Sequence, residues 1–257
     1  MASIALFENE AHQNILLEDF GEGEAVQANT HLIVHDGAGM LLDPGGHKVF
    51  NKTMSELNAL LKGGELRYIF ASHQDPDIVA ALNGWLMTTD ATAYASTLWT
   101  RFIPHFGLDS LVIDRLKAIP DEGALLSLAD GAELVILPAH FLHSCGNFHL
   151  YDPISKILYT GDLGTSLGTE YREVPDFESH LPRIVPFHER YMGSGKALKA
   201  WAKMARSLDI ETIAPQHGAY YRGKAMVSQF LDWCETLDCG IDLLADCYKV
   251  PRSALAA

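Results

Sequence analysis

Positive charge is scarce in this chain. Its 257 residues carry 19 Lys and Arg against 33 Asp and Glu, a formal net charge of −14 at pH 7. Nucleic acid needs a basic footprint, so a nucleic-acid partner is excluded. Anionic membranes and anionic substrates are disfavoured on the same ground, whereas a small neutral ligand is indifferent to the charge. Cysteine is scarce too. Cys145, Cys234, Cys239 and Cys247 show no CxxC spacing, so they are read as free thiols in a reducing cytosol. No apolar run approaches the roughly 18 residues a membrane-spanning helix needs. The opening MASIALFENE lacks the basic stretch and apolar run of a secretory leader. These absences point to a cytoplasmic protein with no membrane partner. No Pro/Gly/Ser-rich linker divides the sequence, and 48% of it is hydrophobic. A single domain spanning 1–257 is therefore expected.

Two halves share a layout. Strands are expected at Ser3–Phe7, Ile15–Glu18, Ala25–His35 and Gly39–Leu42, with an Asp36-Gly37 hairpin turn before the last. Asp43-Pro44-Gly45-Gly46 ends that strand. A helix follows over His47–Leu61 and stops at Gly63-Gly64. Leu66–Ala71 reads as a buried strand, Asp77–Thr88 as a helix and Ala91–Ala95 as a strand. The second half predicts strands at Leu116–Ile119, Gly123–Leu126, Glu133–Leu137, Asn147–Asp152, Lys156–Thr160 and Ile210–Ala214. Its helices are expected at His180–Arg190, Ser194–Leu208 and Ala225–Leu237. Strand runs followed by helices, twice over, suggest two sheets packed face to face with helices outside.

The chemistry is concentrated just past the strand ends. His73, Asp75 and Asp77 follow Leu66–Ala71 at alternate positions. In an extended loop such side chains share a direction, and Pro76 holds Asp75 extended. His140 follows Glu133–Leu137, Asp162 follows Lys156–Thr160, and His217 follows Ile210–Ala214. Singly, each has a plain structural explanation, such as an N-cap for Asp77 or a turn for Asp162. Their common placement favours a shared metal site.

The order HxDxD, a His in an HSxG-type loop (His143-Ser144-Cys145-Gly146), a Gly-Asp after a strand and a late His-Gly resembles the metallo-β-lactamase superfamily over nearly the whole chain. That resemblance implies an α/β fold, an αββα four-layer sandwich of two mixed β-sheets flanked by helices. The carboxylate at Asp75, where zinc hydrolases of this fold carry His, is similar to the HxExDH motif of flavodiiron proteins. Phe187-His188-Glu189-Arg190-Tyr191-Met192 also resembles stand-alone oxygen-binding diiron proteins (ODP). By this likeness one metal is held by His73, Asp75 and His140, the other by Asp77 and His217, and Asp162 bridges them, about 3.5–4 Å apart as in other two-metal sites.

Two departures from the pattern matter. Ile78 stands where the family often has His, so the second metal should keep an open position. Asp75 is one methylene shorter than the usual Glu.

Three carboxylates and three imidazoles favour two iron ions, with zinc or manganese as the alternatives. The implied function is a non-haem diiron protein that binds, or reduces, O2 or NO, acting as an oxygen sensor or as a reductase. No flavodoxin domain or flavin is expected before Ala257, so a separate electron donor or signalling partner is implied, and relatives are often dimers. A binuclear metal-dependent hydrolase is the main alternative, and a degenerate interaction module a third. His143, Tyr191 and His188 are candidate donors beside the open position. Ile78, Phe141, Leu142 and Met192 are candidates for an apolar pocket. His149 and Cys145 read as structural, Cys145 as a buried small hydrophobe.

Overall fold

The computed structural model describes residues 3–17 and 27–251. Two expected strand ends, at Glu18 and Ala25, lie outside those residues. Seven strands form the first sheet in sequence order: β1 (Ile4–Glu8), β2 (His12–Leu16), β3 (His31–His35), β4 (Ala38–Leu42), β5 (Glu65–Phe70), β6 (Thr92–Ser96) and β7 (Leu116–Ile119). The pairings from β1 to β4 are antiparallel and those from β4 to β7 parallel. The second sheet has six strands: β8 (Ala124–Ser127), β9 (Glu133–Pro138), β10 (Phe148–Asp152), β11 (Ile157–Tyr159), β12 (Thr212–Ala214) and β13 (Tyr221–Arg222). Only β11 and β12 pair in parallel.

Neighbouring residues on one strand point to opposite faces, and that period of two builds the layers. Ile33, Met40, Leu42 and Phe70 of the first sheet meet Ile136, Phe148, Leu150 and Ile157 of the second in the central core. Their neighbours Leu32, Leu41 and Ile69 face outward onto Leu57 and Leu61 of α1 (Phe50–Leu61) and Trp85 of α3 (Leu82–Thr88). On the far side Leu137, Leu158 and Ile213 face α4 (Phe177–Tyr191), α5 (Gly195–Ala205) and α6 (Lys224–Thr236) through Ile184, Trp201 and Phe230. Both faces of both sheets are covered, which explains why strands such as β10 are buried along their whole length. The four-layer sandwich of two mixed sheets expected from sequence is the fold observed.

Asp36 and Gly37 both take positive φ, 48° and 79°, as a tight hairpin between β3 and β4 requires. Elsewhere the boundaries moved. The helix expected over Asp77–Thr88 is two pieces, α2 (Pro76–Val79) and α3, separated at Ala80-Ala81. Helix α4 begins at Phe177, ahead of the expected His180. The Asp176 carboxylate caps it by accepting the Ser179 N–H at 2.8 Å. Strand β13 spans two residues, too few to leave a period in the sequence. A short helix α7 (Ile241–Leu244) was likewise unforeseen.

The pairing directions fix where a site can form. Strands β4 and β5 run together, and so do β9, β11 and β12. The segments leaving their C-terminal ends carry the candidate ligands.

Candidate metal centre

Asp43 organises the first ligand loop. It sits at φ 50° after β4, and its Oδ1 accepts the Ser72 N–H at 2.8 Å. Ser72 Oγ lies 2.9 Å from His73 Nδ1. That contact turns His73 Nε2 inward, 3.7 Å from Asp75 Oδ2 and 3.8 Å from Asp162 Oδ1. Asp75 stays extended before Pro76, and its side chain caps nothing. On the other side of Asp162, His217 Nε2 is 3.4 Å from Asp162 Oδ1 and 3.6 Å from Asp77 Oδ2. His217 Nδ1 lies 2.5 Å from the Gln27 carbonyl. A ring nitrogen that donates to a carbonyl leaves its partner nitrogen as the ligand, the usual arrangement behind metal-bound histidines.

The structure does not bring His140 to this cluster. Its Nε2 is 2.8 Å from the Asp121 carbonyl, in the turn before β8, and its ring meets Phe148 edge-on. Backbone pairing of Ala139 with Asn147 prolongs the β9–β10 ladder, which keeps His140 on the tail of the strand. His143 takes the place expected of His140. Its Nε2 is 3.1 Å from Asp75 Oδ2 and 3.7 Å from Asp162 Oδ2. Phe141 and His143 both adopt positive φ, 66° and 78°, uncommon for side chains of this size. The turn is held by Phe141 N–H on the Ser144 carbonyl, Asn147 Nδ2 on the Leu142 carbonyl at 2.6 Å, and Gly193 N–H on the Phe141 carbonyl. The signal for His143 was present in the sequence. It is the His of the HSxG-type motif itself.

The electrostatics favour cations at this point. Asp162 is 5% exposed, and its Oδ1 is buried with no hydrogen-bond partner. Burial would raise its carboxyl, yet His217, His73 and His143 together hold it below the ordinary range. His143 first, then His73, keep Asp75 well below the carboxylate range. Burial works against charge on His217, but Asp162 and Asp77 lift it to about 9. His73 is raised against its burial by Asp75 and Asp162. Raised His73 and His217 thus face the lowered carboxyls of Asp75 and Asp162 when no metal lies between them. The separations of 3.4–3.8 Å around Asp162 suit ligand atoms each about 2.0–2.2 Å from a shared ion better than they suit hydrogen bonds. The donor set fits a pair of metals.

A cavity of about 680 Å³ opens over Asp75, Asp77, His143, Asp162 and His217. Its wall includes Val49, Leu167, Phe187 and Tyr191. Tyr191 stacks on Phe187 at 4.7 Å and approaches the His143 ring at 5.6 Å.

The apolar residues expected here lie elsewhere. Ile78, Leu142 and Met192 are buried in the two outer cores, and Phe141 is exposed. His188 does not face the cavity. Its Nδ1 meets the Ile184 carbonyl at 2.7 Å and its Nε2 accepts the Gly164 N–H at 2.8 Å, so it is a satisfied neutral ring, lowered to about 4 by burial. His149 is buried against Trp201, as a structural histidine should be. Cys145 is exposed, contrary to its expected burial, because the turn that presents His143 lifts it to the surface. Cys234 and Cys239 are buried free thiols.

A family model described as "ODP family beta lactamase" matches residues 26–218. A solved structure described as the apo state of chemotaxis sensor ODP from T. denticola is 39% identical, with a TM-score of 0.85, covering 96% of this chain and 99% of that one. A second, described as a peroxy diiron species of chemotaxis sensor ODP, is 40% identical with a TM-score of 0.86, covering 96% and 100%. A flavo di-iron protein variant from Thermotoga maritima shares the fold at 20% identity, TM-score 0.72, covering 91% of this chain and 60% of that one. Among curated proteins, diflavin flavoprotein A 1 of Synechocystis sp. is 25% identical over 227 residues, which span 85% of this chain and 38% of that protein. The chain therefore matches well under half the length of that relative.

Proposed function

The chain belongs to the ODP family of beta-lactamase-like proteins, and from that premise we propose that it is a non-haem diiron protein whose cavity admits O2 or NO. His73, Asp75 and His143 would hold one iron, Asp77 and His217 the other, and Asp162 would lie between them. A bound pair of ferrous ions would supply the electrons for binding a diatomic ligand. The chain's own residues do the rest. Ser72 orients the His73 ring and the Gln27 carbonyl fixes the tautomer of His217, so that Nε2 is the nitrogen presented. Ile78 fills core space and offers no seventh ligand, so a metal held by Asp77 and His217 would keep room for a further ligand. Phe187, Tyr191 and Leu167 give the cavity an apolar wall. Tyr191, whose ring lies 5.6 Å from that of His143, brings a hydroxyl to the cavity wall.

The observation that carries this reading is the buried Asp162 carboxylate, its Oδ1 without a hydrogen-bond partner, among three imidazoles. The carboxylate at Asp75 argues for iron over the zinc of hydrolases, because it hardens the donor set. T. denticola ODP is described as a chemotaxis sensor. By analogy this chain would report oxygen to a signalling partner, or receive electrons from a separate donor. The test is an anaerobic reconstitution. About two irons per chain should bind, and visible absorption should appear when the reduced protein is mixed with air. Preferential zinc uptake, esterase turnover and no response to oxygen would instead establish the hydrolase reading.

A further inference from the structure

A second cluster of ligand-type side chains lies at the opposite edge of the sandwich. His35 ends β3, Asp36 begins the β3–β4 hairpin turn, and Asp130 sits in the turn between β8 and β9. Strand β3 runs against β4 and β5, so its C-terminal end is remote from the His73 loop. The cluster joins one sheet to the other.

His35 is the buried member, with 5% of its side chain exposed, and its Nε2 has no hydrogen-bond partner. Asp130 Oδ1 is 3.1 Å away without the alignment of a hydrogen bond, and Asp36 Oδ2 is 3.7 Å away. One ligand atom from each residue lies within 4.8 Å of the others.

The network behind His35 decides which form of the ring faces the carboxylates. Asp152 is fully buried, and its Oδ2 accepts from Asn14 Nδ2 and Ser155 Oγ. His12 Nε2 is 2.7 Å from the same oxygen. A carboxylate only accepts, so His12 carries its proton on Nε2. His12 Nδ1 is then the acceptor for His35 Nδ1–H, 3.0 Å away. With both rings neutral, His35 Nε2 is a bare lone pair facing two carboxylates. This buried lone pair and the two half-exposed carboxylates repel one another unless a cation lies between them. The Ala132 N–H on Asp130 Oδ1 favours its ionised form.

The spacing suits a metal. Tetrahedral bonds of about 2.0–2.1 Å separate neighbouring ligand atoms by roughly 3.3–3.4 Å, and the observed 3.1 and 3.7 Å bracket that value. We propose that His35, Asp36 and Asp130 bind one divalent transition metal of the zinc class, clamping the β3–β4 hairpin of the first sheet to the β8–β9 turn of the second. The imidazole nitrogen argues against calcium and magnesium, which take oxygen ligands. The Asp152–His12–His35 chain is the outer support that metal-binding histidines commonly have.

The test uses the full chain with its iron already loaded, titrated with zinc chloride and desalted, with zinc and iron measured separately. The wild type should retain about one zinc per chain with its iron unchanged, and its melting temperature should rise with zinc. The double variant D36N/D130N should lose that zinc and that rise while keeping its iron. Both positions are exposed, and Asn accepts the positive φ of Asp36, so the fold should survive. His35→Gln should lose the zinc as well. No zinc retained beyond the iron centre, or equal zinc in wild type and D36N/D130N, would overturn the proposal. The first result would mean that a proton, not a metal, answers the two carboxylates, and the second that the zinc binds elsewhere.

Discussion

His140 and His143 are three residues apart and face in different directions. His140 satisfies a backbone carbonyl, whereas His143 reaches two carboxylates of the cluster. His143→Ala should therefore cost about one of two bound irons, and His140→Ala should leave iron content unchanged. Iron analysis of both variants decides between them, and the reverse pattern would remove His143 from the site. Asp43 makes a different residue-level prediction, about stability. Burial raises its carboxyl from an ordinary 3.8 to about 6, against the opposing pull of Ser72 and His73. A carboxyl raised on folding favours the folded state while it is protonated. That contribution is complete below pH 4 and is lost as pH climbs through 6, at a cost of up to about 3 kcal/mol. Asp43→Asn keeps an acceptor for the Ser72 N–H, tolerates φ 50° and cannot ionise. Metal-free Asp43→Asn should match the wild type near pH 4 and melt higher at pH 7.5. A gap that stays constant across that range would show that Asp43 does not titrate there.

At the scale of elements, what the sequence made legible depended on local pattern. The β3–β4 hairpin followed from Asp36-Gly37, and both residues take the positive φ that such a turn needs. The strands of the central core were legible because alternation commits each residue to one face. The strand ends bearing His73, Asp75, Asp77, Asp162 and His217 were legible because Gly or Pro marks each exit. The β9–β10 turn was not. Its shape comes from positive φ at Phe141 and His143 and from Gly193, some fifty residues downstream, donating to Phe141. No periodicity encodes a long-range hydrogen bond. The break at Ala80-Ala81 was hidden as well, since its flanking residues keep helical spacing. The loop after β12 shows how tightly these exits are built. Gly218 has φ 81°, and a Cβ there would lie 2.0 Å from Ser166 Oγ and 2.3 Å from its carbonyl. Gly218→Ala should displace His217, lower the melting temperature by the equivalent of about 1–3 kcal/mol and reduce iron to about one per chain. Full iron with an unchanged melting point would show that the loop yields more easily than its geometry implies.

The whole molecule can be read as two sheets closed at both edges by polar clusters. The first sheet delivers His73, Asp75 and Asp77, and the second delivers His143, Asp162 and His217. An ion held by both sets binds only while the sheets stay packed, so affinity for metal becomes resistance to unfolding. At free iron a hundred times the dissociation constant, one site contributes about 2.7 kcal/mol. In a domain of this size that corresponds to a rise of roughly 5–10 °C. Asp162 is the residue common to both halves of the centre, 3.8 Å from His73 and 3.4 Å from His217. Asp162→Ala should abolish the iron-dependent rise, whereas His140→Ala should retain it. The metal-free Asp162→Ala protein need not be weak, because the variant also removes a buried carboxylate that three imidazoles must answer. The informative quantity is therefore the difference between iron-loaded and metal-free melting temperatures of each variant, measured anaerobically. An iron-dependent rise that persists in Asp162→Ala would mean that the ions stabilise each sheet separately and do not bridge them.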